Sequence, residues 1–565
     1  MKFRTAAAAL LALAACSKPG SDKDAADAIY FGGPIYTGLE SAPTTEAVAV
    51  RDGLIVASGA RADIEKTKGA ATEMIDLAGA AMFPGFADSH AHLLGIGMRE
   101  LTLNLEGVGS IEELVEIVGA NVEESEPGDV IYGRGWIETG WPEGRFPTRD
   151  DLDPASPQNP VILVRADGHA LVANSAALAL AKIDAATLDP AGGRIERDAS
   201  GRPTGMLIDN AMALAEGIVG APGEAQKREA FEVGAGVYAA YGWTSIHNMS
   251  VDPNDLALIE DLADQGAIAI RVYNAVDPAG LDALAASGPR ASKNGRAITR
   301  AVKLYMDGAL GSRGAALLAP YADQPETSGL LLMTPEQGAA LLASAKNAGI
   351  QVSTHAIGDR GNRLTLDWYE AALAGADASA LRWRIEHAQI VAPVDIPRFA
   401  ALGVIASMQP SHAIGDLFFA PARLGPGRLD GAYAWRRLLD SGATIAGGTD
   451  APVERGDPAI EFYAAVARRG LDGTQTADWR SDQKVTRAEA LAMFTSAPAY
   501  ASFRESDLGT IEPGKRADFS VFTKDLMAVP EADILKAKAV MTVVDGEVVY
   551  RAAADGGGQT RINGN

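Results

Sequence analysis

The feature that most constrains the fold is a repeated order of helix, glycine, buried strand and polar residue in the middle of the 565-residue chain. In TPEQGAALLASAKNAG, residues 334–349, Thr334 and Gln337 have the spacing of a capping box, Gly349 ends the helix, and the strand IQVSTH follows. The same order recurs in YAWRRLLDSGATIAGGTD and in the stretches that end in RWRIEH and VIASMQPSH. This order is typical of βα units around a parallel sheet, in which functional residues lie at the C-terminal ends of the strands.

Both ends of the chain predict a different, antiparallel unit. Short alternating runs separated by Gly and Asp-Gly turns include AIYFGGPIYTG, EAVAVRDGLIVASG, LGTIEPGKRADFSVFTKD and KAVMTVVDGEVVYR. We therefore predict one β domain built from residues 28–83 and 501–553, with residues 84–500 as an inserted barrel and 554–565 as a flexible tail. Residues 99–225 break the barrel rhythm and are expected to pack over its mouth, either as a structural loop domain or in contact with substrate.

The N-terminus predicts export. MKFRTAAAALLALAAC places Lys2 and Arg4 before an apolar run that is too short to span a bilayer, which is the order of a secretory signal. The run ends like the lipobox of bacterial lipoproteins, and Cys16 is the single cysteine of the chain. We predict a signal peptide at 1–15, lipidation of Cys16 and a tether at 16–27; the alternative is an ordinary signal peptide with a chance cysteine. Because residue 17 is Ser and not Asp, we expect a periplasmic protein held at the outer membrane.

The net charge of −23 argues against a nucleic-acid partner, because binding to phosphates depends on Lys and Arg. The hydrophobic share of 47% indicates a chain that can bury a large core. The expected partners are a small-molecule substrate and, through the lipid, a membrane; a homo-oligomer stays open.

The histidines are the main chemical signal. The chain has 7 of them, at positions 90, 92, 169, 247, 355, 387 and 412. His90 and His92 in FPGFADSHAHL share one face of a strand, an arrangement that two buried polar residues would also show. All but His169 fall near an inferred strand end, however, and this distribution favours a metal site.

The candidate ligands, in chain order, are His90, His92, Lys303, His355, His387 and Asp450. Imidazole and carboxylate groups suit zinc, which lowers the pKa of bound water to about 7 and so supplies a hydroxide nucleophile at neutral pH. Asp450, at the end of the strand ATIAGG, is the candidate catalytic residue: it would take a proton from the attacking water and pass it to the leaving nitrogen.

The order of motifs resembles the amidohydrolase superfamily, in its amidohydrolase 3 (YtcJ-like) branch, over nearly the whole mature chain. The carriers are FPGFADSHAHL, GRGW, RADGHALVANSAAL, GRPTGML, VKLYMDGALGSRGAAL, THAIGD, RIEHAQ, SMQPSH, GGTDAPV and LGTIEPGKRADFSVF. The resemblance implies an α/β fold, a (β/α)8 TIM barrel with a composite β-sandwich formed by the two chain ends. It implies that His90 and His92 bind a first metal and His355 and His387 a second, with Asp450 as the strand-8 aspartate and Lys303 carboxylated by CO2 to bridge both.

Several roles stay open at this point. If Lys303 instead pairs with Asp307 or another acid at the barrel mouth, the site is mononuclear and uses His90, His92, His355 and Asp450. Asn248 stands where many relatives have Asp, and Asp88 is expected to support the imidazoles. His169, His247 and His412 are candidate substrate contacts, with structural roles as the alternative.

The expected function is hydrolysis of a non-peptide carbon–nitrogen bond, as in an N-substituted amide. The expected cofactor is Zn2+, with one or two ions per chain, and Mn, Fe or Co would suit the same ligands. An ester, lactone or carbamate substrate, or a non-catalytic lipoprotein that binds a metal or ligand, are the alternatives. The sequence contains no GxSxG nucleophile motif and no GK[ST] phosphate loop.

Overall fold

The computed structural model describes residues 24–138, 140–166, 168, 170–190, 193–474 and 479–553. The predicted signal peptide, Cys16, most of the tether, His169 and the tail at 554–565 lie outside the described residues. Within the described ranges, no helix is both long enough and apolar enough to cross a membrane.

The strands and helices alternate through most of the chain. In chain order the strands are β1 Ala26–Tyr36, β2 Thr44–Arg51, β3 Leu54–Gly59, β4 Lys68–Asp76, β5 Ala81–Pro84, β6 Phe86–Ala91, β7 Leu103–Asn104, β8 Ile131–Trp136, β9 Val161–Arg165, β10 Ala170–Ala173, β11 Gly193–Arg197, β12 Pro203–Asp209, β13 Trp243–Val251, β14 Arg271–Val276, β15 Arg290–Ala291, β16 Ala297–Tyr305, β17 Gln351–Ala356, β18 Arg384–His387, β19 Ile405–Met408, β20 Ile445–Gly447, β21 Phe519–Phe522, β22 Ala539–Val544 and β23 Glu547–Arg551. The α-helices are α1 Arg61–Ile64, α2 Leu93–Leu101, α3 Ile111–Glu123, α4 Arg149–Leu152, α5 Ser175–Leu180, α6 Ala213–Glu216, α7 Glu224–Tyr241, α8 Leu256–Asp264, α9 Leu281–Ser287, α10 Pro335–Ala348, α11 Asp359–Leu373, α12 Ala378–Leu381, α13 Ile396–Leu402, α14 Pro410–Gly415, α15 Ala420–Leu424, α16 Trp435–Asp440, α17 Pro458–Ala467, α18 Arg487–Phe494, α19 Ser496–Ala501 and α20 Glu531–Ile534.

A parallel barrel forms the centre of the molecule. Its ladder runs in the order β20-β19-β18-β17-β16-β14-β13-β6. Helix α10, which precedes β17, has the caps predicted from the sequence. The Thr334 side chain accepts from the Gln337 N–H, and Gly349 ends the helix at φ 67. The predicted α/β barrel is confirmed at this level.

The barrel closes where its first strand, β6, meets the loop after its last strand, β20. There the Asp450 N–H donates to the carbonyl of His90 at 2.6 Å. Gly448 lies so close to β6 that a Cβ atom would be 2.6 Å from the His90 nitrogen. Only glycine allows this approach, which brings the ends of β6 and β20 together.

Strands from both ends of the chain join a second sheet. Its order is β23-β22-β21-β5-β1-β2-β3, and β4 also pairs with β1. The two chain ends therefore do meet, as one hydrogen-bonded sheet; its description as a sandwich stays a prediction, as do the domain boundaries. A third sheet, β11-β12-β10-β9-β8-β7, lies between β6 and β13 in the chain.

Buried ion pairs attach the barrel to the terminal sheet. Arg271, the first residue of β14, is 3% exposed and lies 2.6 Å from Asp518 and 2.5 Å from Asp545. Arg296 also contacts Asp545, at 3.0 Å. These contacts cross from the N-terminal ends of the barrel strands to the terminal sheet, so they hold the two units in one orientation.

Replacing Arg271 by Met is expected to destabilise the protein. The change leaves the buried Asp518 carboxylate without its cation, and loss of one partner of a buried pair costs about 3–5 kcal/mol. Thermal and denaturant unfolding measure the loss. The matched control is Lys66→Met, which breaks an exposed pair with Asp63; an equal loss in both variants would contradict the role of the buried contact.

Candidate metal centre

Three side chains from distant parts of the chain converge at the C-terminal end of the barrel. One ligand atom each of His90, His387 and Asp450 lies within 4.8 Å of the others, and all three residues are buried. The Nε2 atom of His92 is 3.1 Å from Asp450 Oδ1, and that of His90 is 3.4 Å from the same oxygen. The imidazoles of FPGFADSHAHL therefore face one carboxylate.

His355 and Lys303 complete the group. The ring of His355, at the end of β17, has its centroid 4.5 Å from that of His387. Lys303, on β16, is 1% exposed, and its Nζ is 3.4 Å from His90 Nε2. The structure thus brings His90, His387 and Asp450 together as one group and places His92, Lys303 and His355 next to it. Their division between one or two metals stays a prediction.

Two of these residues have unusual backbone conformations. His387 has φ 74 and Asp450 has φ 61, in the left-handed region that non-glycine residues rarely occupy. In RIEH a regular strand would point His387 to the face opposite Glu386. The left-handed turn at the strand end re-aims the imidazole into the barrel mouth, where its Nδ1 donates to Gln409 Oε1 at 2.9 Å. Such strain concentrates at functional sites.

A buried ion pair between Arg384 and Glu386 lies inside the barrel, next to His90. Glu386 Oε2 lies 2.6 Å from His90 Nδ1, and Arg384 lies 2.8 Å from Glu386 Oε1. Burial by itself would raise the pKa of Glu386, but the charge of Arg384 and the bond from His90 bring it well below its usual value. Glu386 is therefore an anion that accepts the Nδ1 hydrogen of His90, which leaves Nε2 free to bind a metal.

The charge states suit a divalent cation. Burial, together with the charge of Lys303, lowers the pKa of His355 to about 3. Burial also lowers the pKa of His92, of Lys303 and, to well below its usual value, of His387. Neutral imidazole is the form that binds metals.

Asp450 carries the negative charge of the group. Burial would raise its pKa, but the neighbouring His90 and His92 bring it well below the usual value, so the carboxylate is ionised. The Nε2 atom of His355 is buried and has no hydrogen-bond partner among the described residues. Its nearest recorded acid is Asp307, at 3.7 Å. Neutral imidazoles around an anionic carboxylate are the donor set that a zinc-type cation needs.

Asp307 has a structural role and does not pair with Lys303. Its carboxylate accepts the backbone N–H groups of Ala316, Ile357 and Gly358 at 2.8, 2.9 and 2.8 Å. In the described part of the chain, no ion pair joins Lys303 to Asp307. The pairing of Lys303 with Asp307 is thus not formed, and the acids whose charges act on Lys303 are Glu386, Asp450 and Asp277.

The candidate substrate contacts occupy different environments. His247 on β13 is 1% exposed, and its Nδ1 accepts from Arg384 at 2.8 Å, so it lies among the supporting residues inside the barrel. His412 on α14 lies beside the centre, with Nε2 3.8 Å from Asp450 Oδ2. His169 lies outside the described residues. Asn248 accepts from the Leu93 N–H at 2.9 Å, which is a structural contact.

The tertiary structure adds residues that the motifs did not single out, namely Arg384, Glu386, Gln389, Gln409 and Glu454. A signal was present for the first two. In RIEH they stand two positions apart on one strand, so they share a face, and the strand is buried throughout. A buried charge requires a partner, which makes such a pair a candidate for ligand support.

Comparison with known proteins defines the class. The family profile described as "Amidohydrolase family" matches residues 73–550. A solved structure described as an uncharacterized metal-dependent hydrolase from Pyrococcus horikoshii superposes with a TM-score of 0.73 at 29% identity, covering 89% of this chain and 99% of that one. The chain belongs to the amidohydrolase family.

Relatives of known name are similar over nearly their whole length. The putative amidohydrolase YtcJ of Bacillus subtilis is 33% identical over 533 residues, which cover 93% of this chain and 99% of YtcJ. The N-substituted formamide deformylase of Arthrobacter pascens is 29% identical over 525 residues, covering 89% of this chain and 95% of that enzyme. The protein LONG AFTER FAR-RED 3 of Arabidopsis thaliana is 32% identical over 540 residues, covering 93% and 92%.

Replacing Glu386 by Gln is expected to weaken metal binding about 10–100-fold, because a neutral amide holds the His90 imidazole less firmly than the anion does. Competition with a chelator measures the dissociation constant. The control is Glu370→Gln, which removes a carboxylate from an exposed pair with Arg398. Unchanged affinity in a folded Glu386→Gln protein would show that the contact does not support the metal.

Proposed function

We propose that the protein hydrolyses a non-peptide carbon–nitrogen bond, as in an N-substituted formamide or related amide, with a divalent metal, first of all zinc. The observation that supports this most directly is the buried group of His90, His387 and Asp450 within 4.8 Å at the barrel mouth. Membership of the amidohydrolase family and similarity to an N-substituted formamide deformylase support the same reaction.

The residues around the centre have different proposed roles. His90, His92, His355, His387 and Asp450 would hold the metal, which when bound polarises the carbonyl and makes water a nucleophile at neutral pH. Asp450, ionised and close to both His90 and His92, takes the proton of the attacking water on a carboxylate oxygen and delivers it to the nitrogen that leaves. Glu386 keeps the His90 ring in place during these transfers.

Lys303 is proposed to be carboxylated. Burial lowers the pKa of its amine, and a neutral amine can form an N–C bond with CO2 and release a proton. The product is an anion with two oxygens, next to His90 on one side of the centre. This anion would let the site hold two ions, with His90 and His92 on one and His355 and His387 on the other.

The location is a separate proposal that rests on the N-terminal sequence. Lipidation at Cys16 after removal of residues 1–15 would hold the enzyme at a membrane on the periplasmic side, with the outer membrane as the expected one. Its partners there would be the membrane, through the lipid, and a small-molecule substrate.

Replacing Asp450 by Asn is expected to lower kcat about 100- to 10,000-fold, because the amide cannot carry the proton to the leaving nitrogen. The test uses metal-loaded protein, N-substituted formamides and a release assay for the free amine, with metal content measured in the same samples. The control Asp63→Asn makes the same change at an exposed residue and should keep full activity.

Full hydrolysis by the metal-loaded Asp450→Asn variant would contradict the mechanism. Matched esters and carbamates in the same assay decide between the bonds that this site could attack. Bound metal without turnover of any of these compounds would favour a binding protein over an enzyme.

Lys303→Met is expected to lower the metal content from two ions per chain to one, because it removes the group that carries the carbamate. Metal analysis of protein prepared in bicarbonate-containing buffer gives the number, and Lys66→Met, at an exposed lysine, is the control. One ion in the wild type, or two in Lys303→Met, would contradict the bridging role.

A further inference from the structure

Three histidines of the centre carry their ring hydrogen on Nδ1. The Nδ1 atoms of His90, His92 and His387 each face an oxygen atom, at 2.6, 3.1 and 2.9 Å respectively. These oxygens belong to a carboxylate, a backbone carbonyl and a side-chain amide, which only accept, so the hydrogen is on Nδ1 and the lone pair on Nε2. A metal ligand needs that lone pair, so these three rings have the tautomer of ligands.

His412 has the opposite tautomer. Its Nδ1 is 3.0 Å from Gln389 Nε2, and an amide nitrogen donates and does not accept. The ring hydrogen of His412 is therefore on Nε2, so this nitrogen has no lone pair for a metal and is a hydrogen-bond donor. Gln389 is itself held in place, because it is 5% exposed and its backbone carbonyl accepts the Tyr433 N–H at 2.6 Å.

The Nε2–H group of His412 has no acceptor in the part of the chain that the structure describes. The atom is buried, and the side chain is 9% exposed. Asp450 Oδ2 and Glu454 Oε1 are each 3.8 Å away, which is too far for a hydrogen bond. A buried donor of this kind is satisfied when a bound molecule supplies the acceptor.

The distance to Asp450 indicates which acceptor that is. Asp450 is the proposed carrier of the proton to the leaving nitrogen of the amide. That nitrogen and the carbonyl oxygen are about 2.3 Å apart, because both are bonded to the same carbon. When the nitrogen is within hydrogen-bond distance of Asp450, a donor 3.8 Å from Asp450 Oδ2 can reach the oxygen of the same amide group.

We propose that the Nε2–H group of His412 donates a hydrogen bond to the carbonyl oxygen of the scissile amide and stabilises the negative charge that forms there. This inference rests on the proposed amide hydrolysis and adds a catalytic residue to it. When the water oxygen bonds to the carbonyl carbon, the π electron pair moves to the carbonyl oxygen. The pair returns when the carbon–nitrogen bond breaks and the nitrogen takes the proton from Asp450. His412 keeps its hydrogen throughout, and its hydrogen bond is strongest while the oxygen is charged.

The test compares two replacements of His412 with the wild type. His412→Leu removes the donor, and His412→Gln keeps an amide N–H in a side chain of similar length. Melting temperatures confirm that the variants are folded. Metal content after loading is measured in the same samples, because loss of a donor leaves the metal in place and loss of a ligand does not.

We expect His412→Leu to lower kcat for N-butylformamide about 100- to 1,000-fold, which is the effect of removing one donor to a developing oxyanion. The KM should change little, because the donor acts mainly on the charged oxygen. His412→Gln should recover part of the lost rate. An unchanged kcat in folded, metal-loaded His412→Leu, or a lower metal content in that variant, would overturn the donor role.

Binding of a stable tetrahedral anion tests the donor without turnover. Pentylphosphinate resembles the species formed when water adds to N-butylformamide, with phosphorus in place of the carbon and CH2 in place of NH. In calorimetric titrations of the metal-loaded proteins, we expect His412→Leu to bind it about 100-fold more weakly than the wild type, with His412→Gln between them.

The same titration separates this inference from the proposed reaction. If the wild type does not hydrolyse formamides, the proposed reaction on formamides fails, and pentylphosphinate binding still tests His412. Weaker binding to His412→Leu at equal metal content would support the donor role. Equal binding to the wild type and His412→Leu, or no binding to the wild type, would overturn it.

Discussion

The candidate centre depends on the way one buried carboxylate joins the first barrel strand to the loop after the last. Asp88 Oδ1 accepts the N–H groups of His90 and Thr449, both at 3.0 Å. Its other oxygen accepts the hydroxyl groups of Thr449 and Tyr238 at 2.7 and 2.9 Å. This junction holds His92 and Asp450 close together although they are 358 positions apart in the sequence. Burial raises the pKa of Asp88 to about 6 although these bonds oppose the rise.

Above this junction, a chain of contacts runs from the barrel interior to its mouth. Arg384 neutralises Glu386, Glu386 holds His90, and His90 faces Asp450. Each buried charge therefore has a partner on the interior side, as burial requires.

The features of the site that could be predicted are those that depend on residues close together in the sequence. Capping of α10 and alternation in β6 follow from neighbours in sequence, so the positions of His90, His92 and His355 at strand ends were readable. The contacts of Glu386, Gln409 and Glu454 were not, because they join different strands and loops. The ion pair between Lys303 and Asp307 is not formed, since three backbone N–H groups donate to the Asp307 carboxylate.

By itself the sequence determined the class of fold and the chemical types at the barrel mouth, because hydrophobic period, caps and strand-end residues are local properties. The tertiary structure decided how those residues face one another. The left-handed conformations of His387 and Asp450 turn their side chains into the mouth, and close packing at Gly448 sets their distance from β6. Such features arise only when distant strands are packed together, since left-handed backbone is uncommon even for Asp and His, which adopt it more often than most other non-glycine residues.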